Sequence, residues 1–142
     1  MKKGIRSFVS VSALTFAALN VGASDYETGT LKVSDGVEIH YIQLGDKGSH
    51  VVLIHGFTGS AEGTWIGNGV AQALAKHHRV VAIDCRAHGK SEKPHDPAKY
   101  GGDRMSMDVI EVLDHLGIDK AHIHGYSMGG GITARLMALI PD

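Results

Sequence analysis

Apolar positions along the chain form two short strand patterns followed by three strand-then-helix alternations. Residues 29–34 and 37–44 read as strands, the second with Val37, Ile39 and Tyr41 alternating against Glu38 and His40. Asp35-Gly36 between them is a strong two-residue hairpin signal. After a turn at 45–48, residues 50–54 form an apolar run suited to a strand buried on both faces, and a glycine-rich loop occupies 55–63. Residues 64–76 predict a helix, with Ile66, Val70 and Leu74 spaced four apart. A strand over 79–84 and a polar loop over 85–99 follow. In the helix over 103–116, Met105, Val109, Val112, Leu113 and Leu116 share one stripe, and Gly117 stands at the C-cap. A strand over 118–124 leads into a helix over 128–140, whose buried side is Ile132, Leu136, Leu139 and Ile140 and which Pro141 ends. A β-hairpin followed by β-α-β-α-β-α is an α/β fold: a mostly parallel sheet with helices on both faces.

Composition narrows the function classes. Hydrophobic residues at 43% and charged residues at 20% describe a globular chain, and a net charge of −1 gives no footprint for nucleic acid. With Cys85 alone, no intrachain disulfide can form. The first residues read as a leader. Lys2, Lys3 and Arg6 precede an apolar stretch at 7–21, and Val21-Gly22-Ala23 offers small residues at a cleavage site. The stretch falls short of the roughly 20 apolar residues a membrane span needs. The expectation is therefore a signal peptide at 1–23, a domain at 24–142, a secreted or periplasmic location, and no membrane span once the leader is removed.

The candidate chemistry lies in Gly125-Tyr126-Ser127-Met128-Gly129, where the fifth strand gives way to the last helix. A serine hydroxyl is a poor nucleophile without a base and a favourable geometry. A sharp strand-to-helix bend supplies the geometry, and it requires small residues two before and two after the serine, here Gly125 and Gly129. Met128 N–H then points from a helix N-terminus toward the place where charge develops on a substrate oxygen. In a chain with 19 glycines the pattern alone is a weak signal; the strand before it and the helix after it make it specific.

Three segments at this spacing resemble the α/β-hydrolase family: His55-Gly56-Phe57, Asp84-Cys85-Arg86-Ala87-His88-Gly89-Lys90-Ser91, and Gly125-Tyr126-Ser127-Met128-Gly129-Gly130. The resemblance implies Ser127 as nucleophile and the backbone N–H groups of Phe57 and Met128 as oxyanion donors. It gives supporting roles to His55, Gly56, Gly125 and Gly129, with His55 orienting its loop rather than moving protons. It makes the 84–91 segment structural, Asp84 and Arg86 tying the loop together, with neither Asp84 nor His88 catalytic. Ala87 departs from the family's glycine, at a cost of about 1 kcal/mol if the position needs positive φ. The implied activity is hydrolysis of a small-molecule carboxylic ester through an acyl-enzyme, with no cofactor. The family also holds thioesterases, lactonases, carbon–carbon bond hydrolases and haloperoxidases. A serine at 127 argues against the haloalkane dehalogenase and epoxide hydrolase branches, which use aspartate there.

In this family the triad runs Ser, then Asp or Glu, then His, yet only 129–142 follow Met128. The expectation is an N-terminal part truncated after the nucleophile helix, with about five of the family's roughly eight strands. Little or no turnover is expected from it. The fifth strand becomes an open edge that invites self-association, and the alternative reading is a non-catalytic remnant or interaction fragment pairing through that edge. Among the ten histidines, His122 and His124 share a strand face at a spacing that could bind metal. No third ligand joins them at a recognisable spacing, so no metal is predicted. His77, His78 and His95 read as solvated.

Overall fold

The structure is a computed structural model that describes residues 26–140. The leader reading at 1–23 and the helix stop at Pro141 lie outside the described residues. Five strands form one sheet: β1 (Glu27–Lys32), β2 (Glu38–Leu44), β3 (His50–Ile54), β4 (Arg79–Ile83) and β5 (Ala121–Gly125), in the order β1-β2-β4-β3-β5. β3, β4 and β5 are parallel, and the β1–β2 hairpin joins β4 antiparallel through β2. The helices are α1 (Val70–Ala75), α2 (Arg104–His115) and α3 (Met128–Leu139).

Alternation along the central strands divides the core. Val52, Ile54, Val81 and Ile83 face one side, where they pack with Val109, Val112, Leu113, Ile132 and Leu136 of α2 and α3. Val51, Leu53, Val80 and Ala82 face the other, against Ala61, Trp65 and Ala71. The chain leaves β3 for β4 on one side and returns past β3 to reach β5 on the other, so the strand order reverses at β3. In such sheets ligands bind beyond the carboxyl ends of the strands at the reversal. The loops after β3 and β5 meet there, with Ile54 level with Gly125.

The structure corrects four local readings. The hairpin carries a three-residue loop: Val33 N–H bonds Val37 O at 2.9 Å, Gly36 N–H bonds Val33 O at 2.8 Å, and Gly36 takes φ 88°. This is a turn closed by a left-handed glycine, which moves β1 two residues earlier than expected. The helix expected over 64–76 breaks into a π turn at Glu62–Ile66 and the short α1, because Gly67-Asn68-Gly69 interrupts it and Gly69 sits at φ 79°. Val70 is then exposed, and Trp65 and Ala71 take the buried positions. Ile118 belongs to the end of α2 rather than to β5. Gly117 N–H bonds Asp114 O, Ile118 N–H bonds Leu113 O, and Ile118 and Leu113 are both buried, which is a Schellman cap. Ile140 is 45% exposed instead of buried.

A buried ionic network pins the hairpin to α2. Arg86, with no exposed surface, donates to both carboxylate oxygens of Asp108 at 2.7 Å and to Asp35 at 3.0 Å, and also donates to Lys99 O. Arg104 adds bonds to Asp108 at 3.2 Å and to Glu111, which in turn accepts from Ser34 N–H at 2.6 Å. Removing one partner of a buried pair strands the other charge in low dielectric, whereas exposed pairs contribute little. Asp108→Ala is expected to cost about 3–5 kcal/mol in urea unfolding. Asp103→Ala, which breaks the exposed pair with Arg135, leaves the midpoint near the wild-type value.

Candidate active site

Ser127 stands between the end of β5 and the start of α3 with φ 51° and ψ −114°, outside the ordinary regions for a residue with a side chain. Close backbone packing on both sides enforces this. A Cβ on Gly125 would lie 2.1 Å from Gly129 O, and one on Gly129 would lie 2.2 Å from Ile54 O. Only glycine fits at either place. Tyr126 N–H bonds Ile54 O at 3.0 Å, so the bend is stitched to the end of β3. The serine is exposed, as are Phe57 (73%) and Tyr126 (62%).

The loop after β3 lies against this bend. A Cβ on Gly56 would meet Ser127 Cβ at 3.2 Å and the Tyr126 ring at 3.0 Å. His55 is fully buried, and its hydrogen bonds assign its tautomer. Nε2 accepts from Cys85 N–H at 3.0 Å, so Nδ1 carries the proton and donates to Gly56 O at 2.7 Å. One neutral ring therefore joins the 55–57 loop to the loop after β4. Burial lowers the His55 pKa from 6.5, the nearby His88 ring acting in the same direction.

Asp84 organises the second loop. Its carboxylate accepts from Ala61 N–H at 2.7 Å and Lys90 N–H at 3.0 Å, and it meets His40 Nδ1 at 2.8 Å. His40, expected to alternate outward, is instead buried, because β2 is interior and both its faces are covered. Asp84 thus ties β2, the 55–63 loop and the 84–91 loop together, while Arg86 reaches out to α2 and the hairpin. Sequence reasoning missed His40, Asp35 and Asp108. The signal available for Asp108 was an acidic residue beside the apolar stripe of α2, with the otherwise unpartnered Arg86 elsewhere in the chain. Ala87 sits at φ 66°, so the position is left-handed. Burial, with Asp84 and Asp108 nearby, pushes the Cys85 thiol up to about 12, which removes it as a rival nucleophile at neutral pH.

Among the described residues, no imidazole or carboxylate hydrogen-bonds Ser127 Oγ, and neither Phe57 N–H nor Met128 N–H has an intramolecular partner. His122 and His124 are exposed on one sheet face, His124 edge-on to Trp65 at 5.4 Å, away from the serine. No described helix is long and apolar enough to cross a membrane.

A family profile described as the alpha/beta hydrolase fold matches residues 49–142. The chain belongs to the α/β hydrolase family. It is 40% identical over 98 residues to the dihydrolipoyllysine-residue acetyltransferase component of an acetoin cleaving system from Pseudomonas putida, covering 69% of this chain and 25% of that one. It is 37% identical over 94 residues to an esterase of Escherichia coli, covering 66% and 35%. An epoxide hydrolase of Vigna radiata, a mutant form, superposes with a TM-score of 0.73 at 29% identity, covering 83% of this chain and 36% of that one. The α/β hydrolase relatives named here are therefore much longer, and this chain spans only about a third of their length or less.

Two expectations follow for the loops around the site. Ala87→Gly relieves the left-handed strain and raises the unfolding free energy by about 1 kcal/mol in urea titrations. The unfolded chain takes up the His55 proton more readily than the folded one, so its contribution is present above the ordinary value of 6.5 and lost as pH falls below it. Unfolding free energies measured between about pH 7 and pH 5 decline on that limb, and His55→Asn flattens it.

Proposed function

We propose that this chain carries the nucleophile and oxyanion donors of a carboxylic-ester hydrolase acting on small molecules. The observation that carries the reading is Ser127 at φ 51° on the β5–α3 bend, with Gly56 of the β3 loop packed against it. Ser127 Oγ attacks the ester carbonyl, its proton passes to a base, and the alkoxide is held by Phe57 N–H and Met128 N–H. Collapse of the alkoxide expels the alcohol and leaves an acyl-enzyme, which water hydrolyses. Similarity to the Escherichia coli esterase supports the ester class. Among the described residues no imidazole or carboxylate hydrogen-bonds Ser127 Oγ, so the 142-residue chain assayed alone is expected to turn over slowly. A serine with oxyanion donors and no base retains at most about 10³–10⁴-fold over water. The leader pattern at 1–23 favours a secreted or periplasmic location.

A second reading starts from β5 pairing with β3 alone among the described residues. Here the chain is an interaction fragment that associates through that strand without catalysis.

A short-chain nitrophenyl ester assay on the 142-residue chain separates these. Slow release of nitrophenol that Ser127→Ala lowers by about ten-fold or more supports the hydrolase reading. Release unaffected by Ser127→Ala would leave only the interaction reading. Turnover at the rate of a complete esterase, lost in Ser127→Ala, would overturn the absence of a working base.

A further inference from the structure

The loop after β3 is built around one peptide unit. Gly56 O accepts two hydrogen bonds, from His55 Nδ1–H at 2.7 Å and from Gly59 N–H at 3.0 Å. The peptide joining Gly56 to Phe57 is planar and trans, so its N–H points opposite to its C=O. Fixing Gly56 O therefore aims Phe57 N–H. Cys85 N–H, on His55 Nε2 at 3.0 Å, holds the tautomer this needs. That secures the carbonyl end of the unit. The other end runs into Phe57 and Thr58, the two central residues of the turn that Gly59 N–H closes. Thr58 takes φ 62° there, a left-handed conformation that a β-branched residue adopts only under constraint. Among the described residues Phe57 N–H has no intramolecular partner, so hydrogen bonds do not supply that constraint at Phe57.

The ring beside Phe57 is the imidazole of His88, 5.6 Å away between centres and edge-on at 73°, an attractive arrangement at this separation. The same imidazole lies 5.2 Å from the ring of His55. Its own place is fixed from the backbone. A carbonyl only accepts, so His88 Nδ1 carries a proton and donates to Arg86 O at 3.0 Å. Arg86 is fully buried and bonded to Asp108 and Asp35. His88 thus carries the rigidity of the buried network to the Phe57 end of the unit.

We propose that His88 is a positioning residue for the oxyanion loop: its ring holds the Phe57 ring and so keeps Phe57 N–H aimed at the substrate oxygen. The proposal rests on the hydrolase reading above and deepens it. His88 transfers no proton and touches no substrate in this role. The loop after β4 grips the 55–57 loop twice, by hydrogen bond from Cys85 to His55 and by ring contact from His88 to Phe57. The donor acts on charge that develops in the transition state, so loosening it lowers kcat and leaves KM.

Nitrogen-15 relaxation of the Phe57 amide in the 142-residue chain tests this, with nitrophenyl ester hydrolysis measured alongside. The chain has three phenylalanines, so selective labelling yields three amide signals, and Phe57→Leu assigns the one it removes. The expected order parameter is about 0.85 in the wild type and below about 0.6 in His88→Ala and His88→Asn. The asparagine keeps a donor for Arg86 O without a ring, and it keeps the test decisive should the alanine variant fail to fold. His88→Tyr, which keeps a ring, restores the order. The Ser127-dependent part of kcat falls about three- to ten-fold in His88→Ala and His88→Asn at unchanged KM, and recovers in His88→Tyr. A Phe57 amide equally ordered in all variants would overturn the proposal. So would a loosened amide with an unchanged Ser127-dependent rate, which would leave the ring contact purely structural. Release indifferent to Ser127→Ala would sink the hydrolase reading and this proposal with it, an outcome distinct from the other two.

Discussion

The geometry at Ser127 depends on backbone meeting backbone where the first turn of α3 lies on the ends of β3 and β5. A Cβ at Gly125 or Gly129 would fall 2.1 or 2.2 Å from a carbonyl oxygen, so no side chain can separate helix from sheet. With that approach fixed, the chain reverses over Tyr126 and Ser127 alone, and the serine takes φ 51°. Such a conformation costs about 1–3 kcal/mol and persists because its surroundings leave no alternative. Ile132 and Leu136 anchor α3 in the core, and Ser106 Oγ bonds Ile132 O at 3.2 Å, tying α3 to α2. The exposure of Ser127 is a consequence of this contact.

The sheet is held unequally on its two sides. Toward β2 and β4 it is fastened by polar groups with several partners each: Asp84 to three chain segments, Arg86 to two carboxylates and a carbonyl. Toward β5 it is fastened by the β3 ladder and by α3, whose last turn leaves Met137 and Ile140 in water. Local opening is easiest where apolar contacts are few and backbone bonds face solvent. Ser127 sits at that boundary, at the carboxyl ends of β3 and β5.

The parts of this arrangement legible in the sequence are those with short-range causes. The apolar runs of β3 and β4, the stripe of α2 with Gly117 behind it, and the glycine spacing around Ser127 each encode their structure within about ten residues. The parts that were not legible have long-range causes. His40 looks like the outward half of an alternating strand, and only Asp84, distant in sequence, explains its burial. Asp108 reads as helix surface until Arg86 is seen to need it. The break at Gly67-Asn68-Gly69 was outweighed by a stripe of Ile66, Val70 and Leu74 that tertiary packing does not use. Ala87 was legible as a departure from the family pattern, but only the backbone shows that the position is left-handed.

The exposure of Ser127 constrains how any proton acceptor could reach it. A base must approach Ser127 Oγ to within about 2.6–3.2 Å. His124 cannot do so from its own strand, since its ring lies on the sheet face with Trp65 while the serine lies beyond the strand's end. An acceptor would have to arrive from the exposed side of the bend. A strand laid parallel along β5 ends beside Ser127 and can deliver such a group from the loop that follows it.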